Sequence, residues 1–283
     1  MILMDGLQRE LEESNFVSRG AAWTQLSGGR TNKAWRVDTA DTSLVCKLFT
    51  STKTNPLYPN FAVDEYNSQV ALSGAGIAPD PIAFVQCEAG DVVLYQHLEG
   101  ETWKSNTASV GGLLSKVHDQ TPYEGLRFLP SGSNALIDQI KGILAECTQL
   151  DWTPVIKDPK IGPTKHAVLI HTDIVANNIV VTQQGLRLID WQCPALGDAT
   201  EDLASFLSPA MQYLYGAGPL NGGDVSLFLA AYPDKDVVIR YRMLAPLYHL
   251  RIAAYCQWKL ERGDPDYAQA LQLELSAINQ AEC

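Results

Sequence analysis

The sequence predicts an α+β fold with two lobes, a small strand-rich N-terminal lobe and a larger, mainly helical C-terminal lobe. The chain has 283 residues, which exceeds a typical single domain. Its first third contains short β-type runs separated by turn residues, whereas apolar residues recur at helical spacing beyond Gly100. Because the pattern changes near residues 97–100, we place the lobes at residues 1–97 and 98–283.

The N-terminal third is predicted to contain an acidic first helix, five strands and a second helix. The second helix is indicated by Tyr66 and Val70, which lie one turn apart, and by the stop signals Gly74 and Gly76. A turn rich in glycine and polar residues joins the first two strands. The predicted strands span 23–26, 34–37, 44–49, 82–86 and 92–96, and the second helix spans 63–72.

The C-terminal part is predicted to contain helices interrupted by three short strands. Apolar residues at helical spacing indicate helices within 110–117 and 137–144, and strands are predicted at 167–170, 179–181 and 186–189. Beyond residue 198 the chain is again helical, with a long helix over about 237–260. Asp198 with Glu201 three residues later predicts a capping box at the start of this helical part.

The charge of the chain bears on its partners. It has 21 Lys and Arg against 32 Asp and Glu, a net charge of −11. No basic run interleaved with aromatic residues is present, so we do not expect nucleic acid as a partner. The acidity suits a cationic small substrate, although an acidic surface that only improves solubility is the more ordinary explanation.

Targeting and redox features predict a cytoplasmic protein. Residues 1–13 contain four acidic residues in place of a basic segment followed by an apolar run, so they do not resemble a signal peptide. No apolar stretch has the length of a membrane span. The six cysteines lack a CxxC or a His/Cys spacing that suits a metal, so we expect reduced thiols and no structural zinc. Oligomeric state is left open.

Residues 171–178, His-Thr-Asp-Ile-Val-Ala-Asn-Asn, place polar groups directly after an apolar strand. A carboxylate at Asp173 can orient a substrate hydroxyl and accept its proton, while Asn178 offers an uncharged oxygen to a divalent cation. The following hairpin folds the chain back, so Asp190 can lie beside Asn178 and complete a magnesium site of oxygen ligands. Each aspartate alone could simply cap a loop, but their joint occurrence with Asn178 favours phosphoryl transfer.

Lys47 lies within the apolar run Val-Cys-Lys-Leu of a predicted strand. A lysine there can reach the α- and β-phosphates of a nucleotide, and Glu65 in the next helix is placed to hold its ammonium by ion pairing. The turn that contains Gly28 and Gly29 can close over the nucleotide. Taken singly, Lys47 could extend to solvent, Glu65 could be an exposed helix charge, and the glycines could form a plain hairpin turn.

Four motifs within residues 26–207 resemble those of the choline kinase, thiamine kinase and aminoglycoside phosphotransferase group of small-molecule kinases. They are Ser-Gly-Gly-Arg-Thr-Asn-Lys (27–33), His-x-Asp-x₄-Asn (171–178), Gly-Leu-Arg-Leu-Ile-Asp-Trp (185–191) and Gly-Asp-x₃-Asp-Leu-Ala (197–204). The resemblance implies a bilobal protein-kinase-like fold that binds ATP and Mg²⁺ between its lobes. It also implies transfer of the γ-phosphate of ATP to a hydroxyl of a small molecule.

The resemblance further implies roles for individual residues. Asp173 is then the catalytic base, and Asn178 and Asp190 are magnesium ligands. The other implied contacts are to ATP. Its phosphates are contacted by Gly28, Gly29, Thr31, Asn32, Lys47 and Glu65, and its adenine by backbone groups near Gln96 and Leu98. The loop departs from the group, because Ile-Val-Ala-Asn stands where many relatives place Pro-Gly before the asparagine. Its turn is therefore predicted to depend on an unusual backbone conformation at Asn177.

Several neighbouring residues have a structural interpretation. His171 and Asp202 are predicted to brace the catalytic loop by hydrogen bonding, and His118 to pack within a helix. Aromatic residues could instead form a cage for a quaternary ammonium, because cation–π attraction selects such ligands. The cage candidates are Trp191, Tyr213, Tyr215, Tyr241, Tyr248, Tyr255 and Trp258, most of which are expected to be ordinary core or surface residues.

The sequence allows more than one acceptor and two alternative functions. Choline-like or thiamine-like alcohols are favoured over aminoglycosides, because the turn at 27–33 and the strand at 185–191 resemble the former enzymes more. One alternative is a catalytically silent nucleotide-binding module of the same fold. Another is a metal-dependent phosphoesterase that uses His171, Asp173, Asp190 and Asp198, although such sites usually contain more histidines than a chain with five provides.

Overall fold

The computed structural model describes residues 2–26, 31–50, 55–148, 156–216 and 218–281. The chain divides into two compact units, one of Met1–Glu101 with Val180–Pro194 and the other of Thr102–Ile179 with Ala195–Cys283. Strands dominate the first unit and helices dominate the second, so the predicted α+β class is confirmed. The lobe boundary at residues 97 and 98 stays a prediction, and the segment with Asp190 belongs to the first unit.

The first unit is built on a five-stranded antiparallel sheet with the order β1-β2-β3-β5-β4. A first helix precedes the sheet, and a second helix lies between its third and fourth strands. The elements are α1 (Ile2–Glu13), β1 (Ala22–Gln25), β2 (Lys33–Asp38), β3 (Ser43–Phe49), α2 (Ala62–Ala71), β4 (Pro81–Cys87) and β5 (Gly90–Gln96). All five predicted strands and both helices are present, with ends shifted by one or two residues.

The central strand β3 fixes the direction of Lys47. Side chains alternate between the two faces of a strand. Residues 44, 46 and 48 pack in a core cluster that includes two leucines of α1, and Val45 and Phe49 pack in a second cluster with Ala62 of α2. Lys47 shares the register of Val45 and Phe49, so it lies on the face that α2 covers.

The hairpin formed by β8 (Ile179–Thr182) and β9 (Gly185–Leu188) leads to Asp190. Its turn contains Gly185 at a φ of 117°, a conformation that glycine adopts readily. The Leu188 N–H donates to the Ile77 carbonyl (2.7 Å), which ties β9 to the loop after α2. Trp191 is fully buried, and its indole N–H donates to the Leu188 carbonyl (3.0 Å). The prediction that it could form a wall of an aromatic cage was therefore wrong.

The second unit consists mainly of helices, with β7 (Val168–Ile170) and β10 (Ala195–Gly197) paired antiparallel. Both short predicted helices and the long helix are present. No helix within the described residues is long and apolar enough to span a membrane. The helices are α3 (Thr107–His118), α4 (Ser133–Ala145), α5 (Thr200–Leu207), α6 (Pro209–Tyr215), α7 (Gly222–Ala231), α8 (Lys235–Glu261) and α9 (Tyr267–Ala281), and strand β6 (Glu101–Thr102) lies where the chain leaves the first unit.

The capping box predicted at residues 198 to 201 was wrong. Helix α5 begins at Thr200, and the Asp198 carboxylate accepts from the Thr200 N–H (3.1 Å) and from Arg240 Nε (2.7 Å). The Glu201 carboxylate is instead paired with the guanidinium of Arg251 (2.6 Å to Oε2). The Glu201 carboxylate, which the local sequence pattern assigned to the helix end, therefore forms a buried ion pair with α8 instead.

Candidate active site

A buried cluster of one ammonium and two carboxylates occupies the first unit. Lys47 Nζ donates to Glu65 Oε2 and to Asp190 Oδ1. Lys47 is 5% exposed and Glu65 is fully buried, whereas Asp190 is only half-buried. Gln69, one helical turn after Glu65, donates to its other oxygen (3.5 Å). The predicted Lys47–Glu65 ion pair is thus present, and the direct contact with Asp190 extends it.

The electrostatics of this cluster are those of two carboxylates that share one cation. Burial alone lowers the pKa of Lys47, but the charges of Asp190 and Glu65 outweigh this effect and raise the pKa above its ordinary value. Burial raises the pKa of Glu65 to about 7, since Lys47 compensates its charge only in part and Asp190 adds a like charge. Lys47 therefore stays cationic throughout the neutral pH range.

Asp190 has a backbone conformation that is unusual for a residue with a side chain. Its φ is 67°, in the left-handed region. Such a conformation persists only where the surrounding structure holds it, and it is often found at functional sites. The turn of the chain at Asp190 follows β9 directly and brings the carboxylate to Lys47.

The predicted catalytic loop in the second unit is held by a pairing of Asp173 with Asn178. Asn178 Nδ2 donates to the Asp173 carbonyl oxygen (3.0 Å) and approaches its carboxylate oxygen Oδ2 (3.4 Å). An amide that donates in this way directs its Oδ1 to the opposite side, where it can accept or coordinate. Residues Ala176–Asn178 form a 3₁₀ turn, closed by a bond from the Asn178 N–H to the Val175 carbonyl (2.9 Å).

The loop turns at a residue other than the predicted one. Asn177 lies within the 3₁₀ turn and is not among the described non-glycine residues with positive φ, so the predicted unusual conformation at Asn177 was wrong. Thr172, directly before Asp173, has a φ of 71°. This conformation is uncommon for a β-branched residue, which indicates that other contacts hold it.

Those contacts come from Asp202, whose side chain is fully buried. It accepts from the backbone N–H groups of His171 (2.9 Å) and Thr172 (2.7 Å). His118 Nε2 lies 3.1 Å from the same carboxylate, and His118 Nδ1 lies 2.7 Å from the hydroxyl of Tyr232. The predicted bracing role of Asp202 is confirmed. His118 is buried in α3 as predicted, but its hydrogen bonds to the brace were not foreseen.

Comparison with known families decides the class of this chain. Residues 22–232 match a model of the family described as phosphotransferase enzymes. The chain belongs to this phosphotransferase family. A comparison with curated proteins gave no match. The family was predicted from the four motifs, and membership supports small-molecule phosphoryl transfer as the general type of reaction.

The fold of this phosphotransferase-family protein is similar to that of solved kinases. A choline/ethanolamine kinase family protein from Mesorhizobium loti is 16% identical, with a TM-score of 0.71 over 99% of this chain and 94% of that chain. An ethanolamine kinase from Plasmodium vivax is 12% identical, with a TM-score of 0.65 over 96% and 87%. A mutant of aminoglycoside phosphotransferase APH(4)-Ia, in complex with AMP-PNP and hygromycin B, is 14% identical, with a TM-score of 0.67 over 98% and 99%.

Four of the remaining predicted nucleotide contacts of this phosphotransferase lie within the described part of the first unit. Gly28 and Gly29 lie outside the described residues, and Thr31 is exposed. The Asn32 side chain is hydrogen bonded to other amide side chains within the unit. The Gln96 N–H donates to the Asp80 carbonyl (2.9 Å), and the His97 N–H donates to the Ser43 carbonyl (3.0 Å). Leu98 provides the next backbone amide along the chain.

The donor chemistry of the phosphotransferase suits Mg²⁺. Within the described ranges no group of three or more His, Cys, Asp or Glu residues is placed to hold a metal. Mg²⁺ at phosphoryl-transfer sites is usually bound by one or two carboxylates together with phosphate oxygens and water, and not by a cage made of protein alone. Asp190 supplies a half-buried carboxylate in the first unit and Asn178 an amide oxygen in the second, and each has the donor chemistry that Mg²⁺ prefers.

The raised pKa of Glu65 predicts how stability depends on pH. The folded chain keeps the Glu65 proton up to about pH 7, whereas an unfolded glutamate releases it near its ordinary value of 4.5. The folded state therefore binds more protons within this window, and stability from this group falls as pH rises through it. We expect the Tm of the wild type to fall more steeply between about pH 5 and pH 8 than that of Glu65→Gln, which does not titrate. Parallel Tm curves for the two proteins would contradict this assignment.

Proposed function

We propose that this protein transfers the γ-phosphoryl group of ATP, with Mg²⁺, to a hydroxyl of a small molecule. The observation that carries the proposal is the buried contact of Lys47 with both Glu65 and Asp190, in a chain of the phosphotransferase family. Burying an ammonium with two carboxylates is unfavourable as a purely stabilising device, because desolvation offsets much of the attraction. The arrangement is explained by a site in which the Lys47 ammonium meets the negative charge of phosphates and the Asp190 carboxylate meets a metal cation.

The described residues divide the reaction between them. Lys47, held by Glu65, neutralises phosphate charge. Asp173 orients the acceptor hydroxyl and accepts its proton as the phosphoryl group transfers. Asn178 and Asp190 would supply oxygen ligands to Mg²⁺, and the bound ion would offset charge on the phosphate oxygens.

The predicted contacts of the nucleotide beyond Lys47 and Glu65 are part of the same proposal. The adenine pairs with backbone groups between Gln96 and Leu98. Since the amides of Gln96 and His97 already donate within the unit, Leu98 is the amide we assign to the adenine. The turn that contains Gly28, Gly29 and Thr31 closes over the phosphates, as the resemblance to choline and thiamine kinases implies.

For the acceptor we propose a cationic alcohol, of the choline or thiamine type, ahead of an aminoglycoside. The net charge of −11 favours cations. Four of the cage candidates are buried in the helical core, where Tyr241 stacks on Tyr248 and Tyr255 on Trp258. Tyr213, in contrast, is 43% exposed on α6, which packs against the 3₁₀ turn that contains Asn178. Among the cage candidates, we therefore assign Tyr213 to a quaternary ammonium.

An acceptor panel tests the proposed function. ADP formation from ATP and Mg²⁺ is measured with choline, ethanolamine, thiamine, a neutral sugar and an aminoglycoside, each against a blank without acceptor. We expect a cationic alcohol to raise ADP formation at least about tenfold above the blank, as a positioned hydroxyl competes with water. Binding of ATP without stimulation by any acceptor would favour the silent nucleotide-binding module. Hydrolysis of a phosphoester in the absence of ATP would favour the phosphoesterase.

A further inference from the structure

Three amide side chains in the first unit form a hydrogen-bonded group, which we name the amide cluster: Asn32, Asn60 and Gln192. Asn32 Nδ2 donates to Asn60 Oδ1 (2.8 Å) and to Gln192 Oε1 (2.8 Å). Asn60 Nδ2 donates back to Asn32 Oδ1 (2.9 Å). Both Asn32 donors and its acceptor oxygen are thus used, which fixes the orientation of each amide relative to the others.

The amide cluster joins three segments that are distant in sequence. Asn32 directly precedes β2. Asn60 lies just before α2, which carries Glu65, and Gln192 follows Asp190 by two residues. The Gln192 carbonyl also accepts from the N–H of Phe61, the residue before α2 (3.2 Å). Gln192 is therefore held by both its side chain and its main chain.

Gln192 links the amide cluster to Asp190, the carboxylate that contacts Lys47. Asp190 has a φ of 67°, and such a conformation needs neighbouring contacts to persist. Gln192 is 6% exposed, and its bonds anchor the chain immediately after this strained residue. These bonds therefore lie where they can hold the segment that brings the Asp190 carboxylate to Lys47.

We propose that Asn32, Asn60 and Gln192 are positioning residues that set the affinity for the magnesium–nucleotide complex. They act by holding Asp190, the start of α2 and the start of β2 in one arrangement. Because the donors and acceptor of Asn32 are used within the cluster, Asn32 acts through its neighbours and not by contacting a phosphate. This inference rests on the proposed function, since it assigns a role to the same site.

The test uses AMP-PNP and MgCl₂ as probes with the full chain. The dissociation constant is measured by calorimetry for the wild type, Asn32→Ala, Gln192→Leu and the double variant. We expect each single variant to bind about tenfold more weakly, and the double variant to bind little more weakly than either one, because one hydrogen bond is lost in all three. We also expect the Mg²⁺ concentration that half-saturates binding to rise by a similar factor.

Two further variants separate positioning from stability. Gln192→Glu keeps an acceptor oxygen for Asn32 and is expected to bind within about threefold of the wild type, unlike Gln192→Leu. Asn221→Ala removes the N-cap of α7, whose side chain accepts from the Asp224 N–H (3.0 Å). It should lower the Tm without changing either binding measurement. If Gln192→Leu does not fold, the half-buried Asn60→Ala variant provides the same comparison.

The outcomes distinguish this inference from the proposed function. A wild type that does not bind AMP-PNP with Mg²⁺ overturns both. A wild type that binds, together with folded Asn32→Ala and Gln192→Leu variants of unchanged affinity, overturns the positioning role alone. Additive losses in the double variant also overturn it, because they would mean that the two side chains act independently.

Discussion

Asp173→Asn is expected to lower kcat by roughly 10²–10⁴-fold, the usual contribution of a general base, with little change in the KM for ATP. The amide has the shape of the carboxylate but cannot accept the hydroxyl proton. The main hydrogen bond of the loop, from Asn178 Nδ2, goes to the Asp173 backbone carbonyl, so it survives the substitution. The loss should therefore reflect chemistry and not disorder of the loop.

The measurement is the steady-state rate with the best acceptor of the panel, over a range of ATP concentrations. Asp138→Asn serves as the matched control, because Asp138 is an exposed residue of α4. Its activity should equal that of the wild type. A kcat of Asp173→Asn within about threefold of the wild type would remove Asp173 from the role of base.

Asp202→Asn is expected to lower both stability and activity. The fully buried carboxylate accepts from the His171 and Thr172 N–H groups and lies beside His118. An asparagine turns one of these oxygens into a donor, which leaves a buried N–H without an acceptor at about 1–3 kcal/mol. The positive φ of Thr172 loses its support at the same time, so Asp173 is no longer held in place.

Asp198→Asn provides the comparison for this prediction. Asp198 is also buried and accepts from a backbone N–H and an arginine, but its partners are Thr200 and Arg240. We expect similar losses in the free energy of unfolding from urea titrations, and a much larger loss of kcat for Asp202→Asn at a temperature where both are folded. Equal losses of kcat in the two variants would reduce Asp202 to a purely structural residue.

The sequence was informative wherever a local pattern carried the signal. A short apolar run predicted β3, and a lysine within that buried strand predicted an ion pair with Glu65 of the following helix. The order of four motifs predicted the family. These features depend on contacts within short segments or on residue types that only a few functions need, so they can be inferred without coordinates.

Long-range partners were not predictable, because periodicity shows which face is buried but not what it meets. His118 was correctly placed in a packed helix, but its bond to Asp202 joins residues 84 positions apart. Asn32 is bonded to Gln192 across 160 positions. Glu201 was assigned to a helix cap from local spacing, whereas its carboxylate accepts a hydrogen bond from Arg251 of α8. In each case tertiary contacts decided the partner.

The most direct test of the proposed activity is ³¹P NMR of the protein with ATP, Mg²⁺ and the preferred alcohol. Transfer to a hydroxyl predicts a new phosphomonoester resonance that grows in step with ADP and requires the alcohol. It should be lost in Asp173→Asn. ADP that forms with inorganic phosphate as the sole other product, or with no dependence on the alcohol, would contradict a small-molecule kinase.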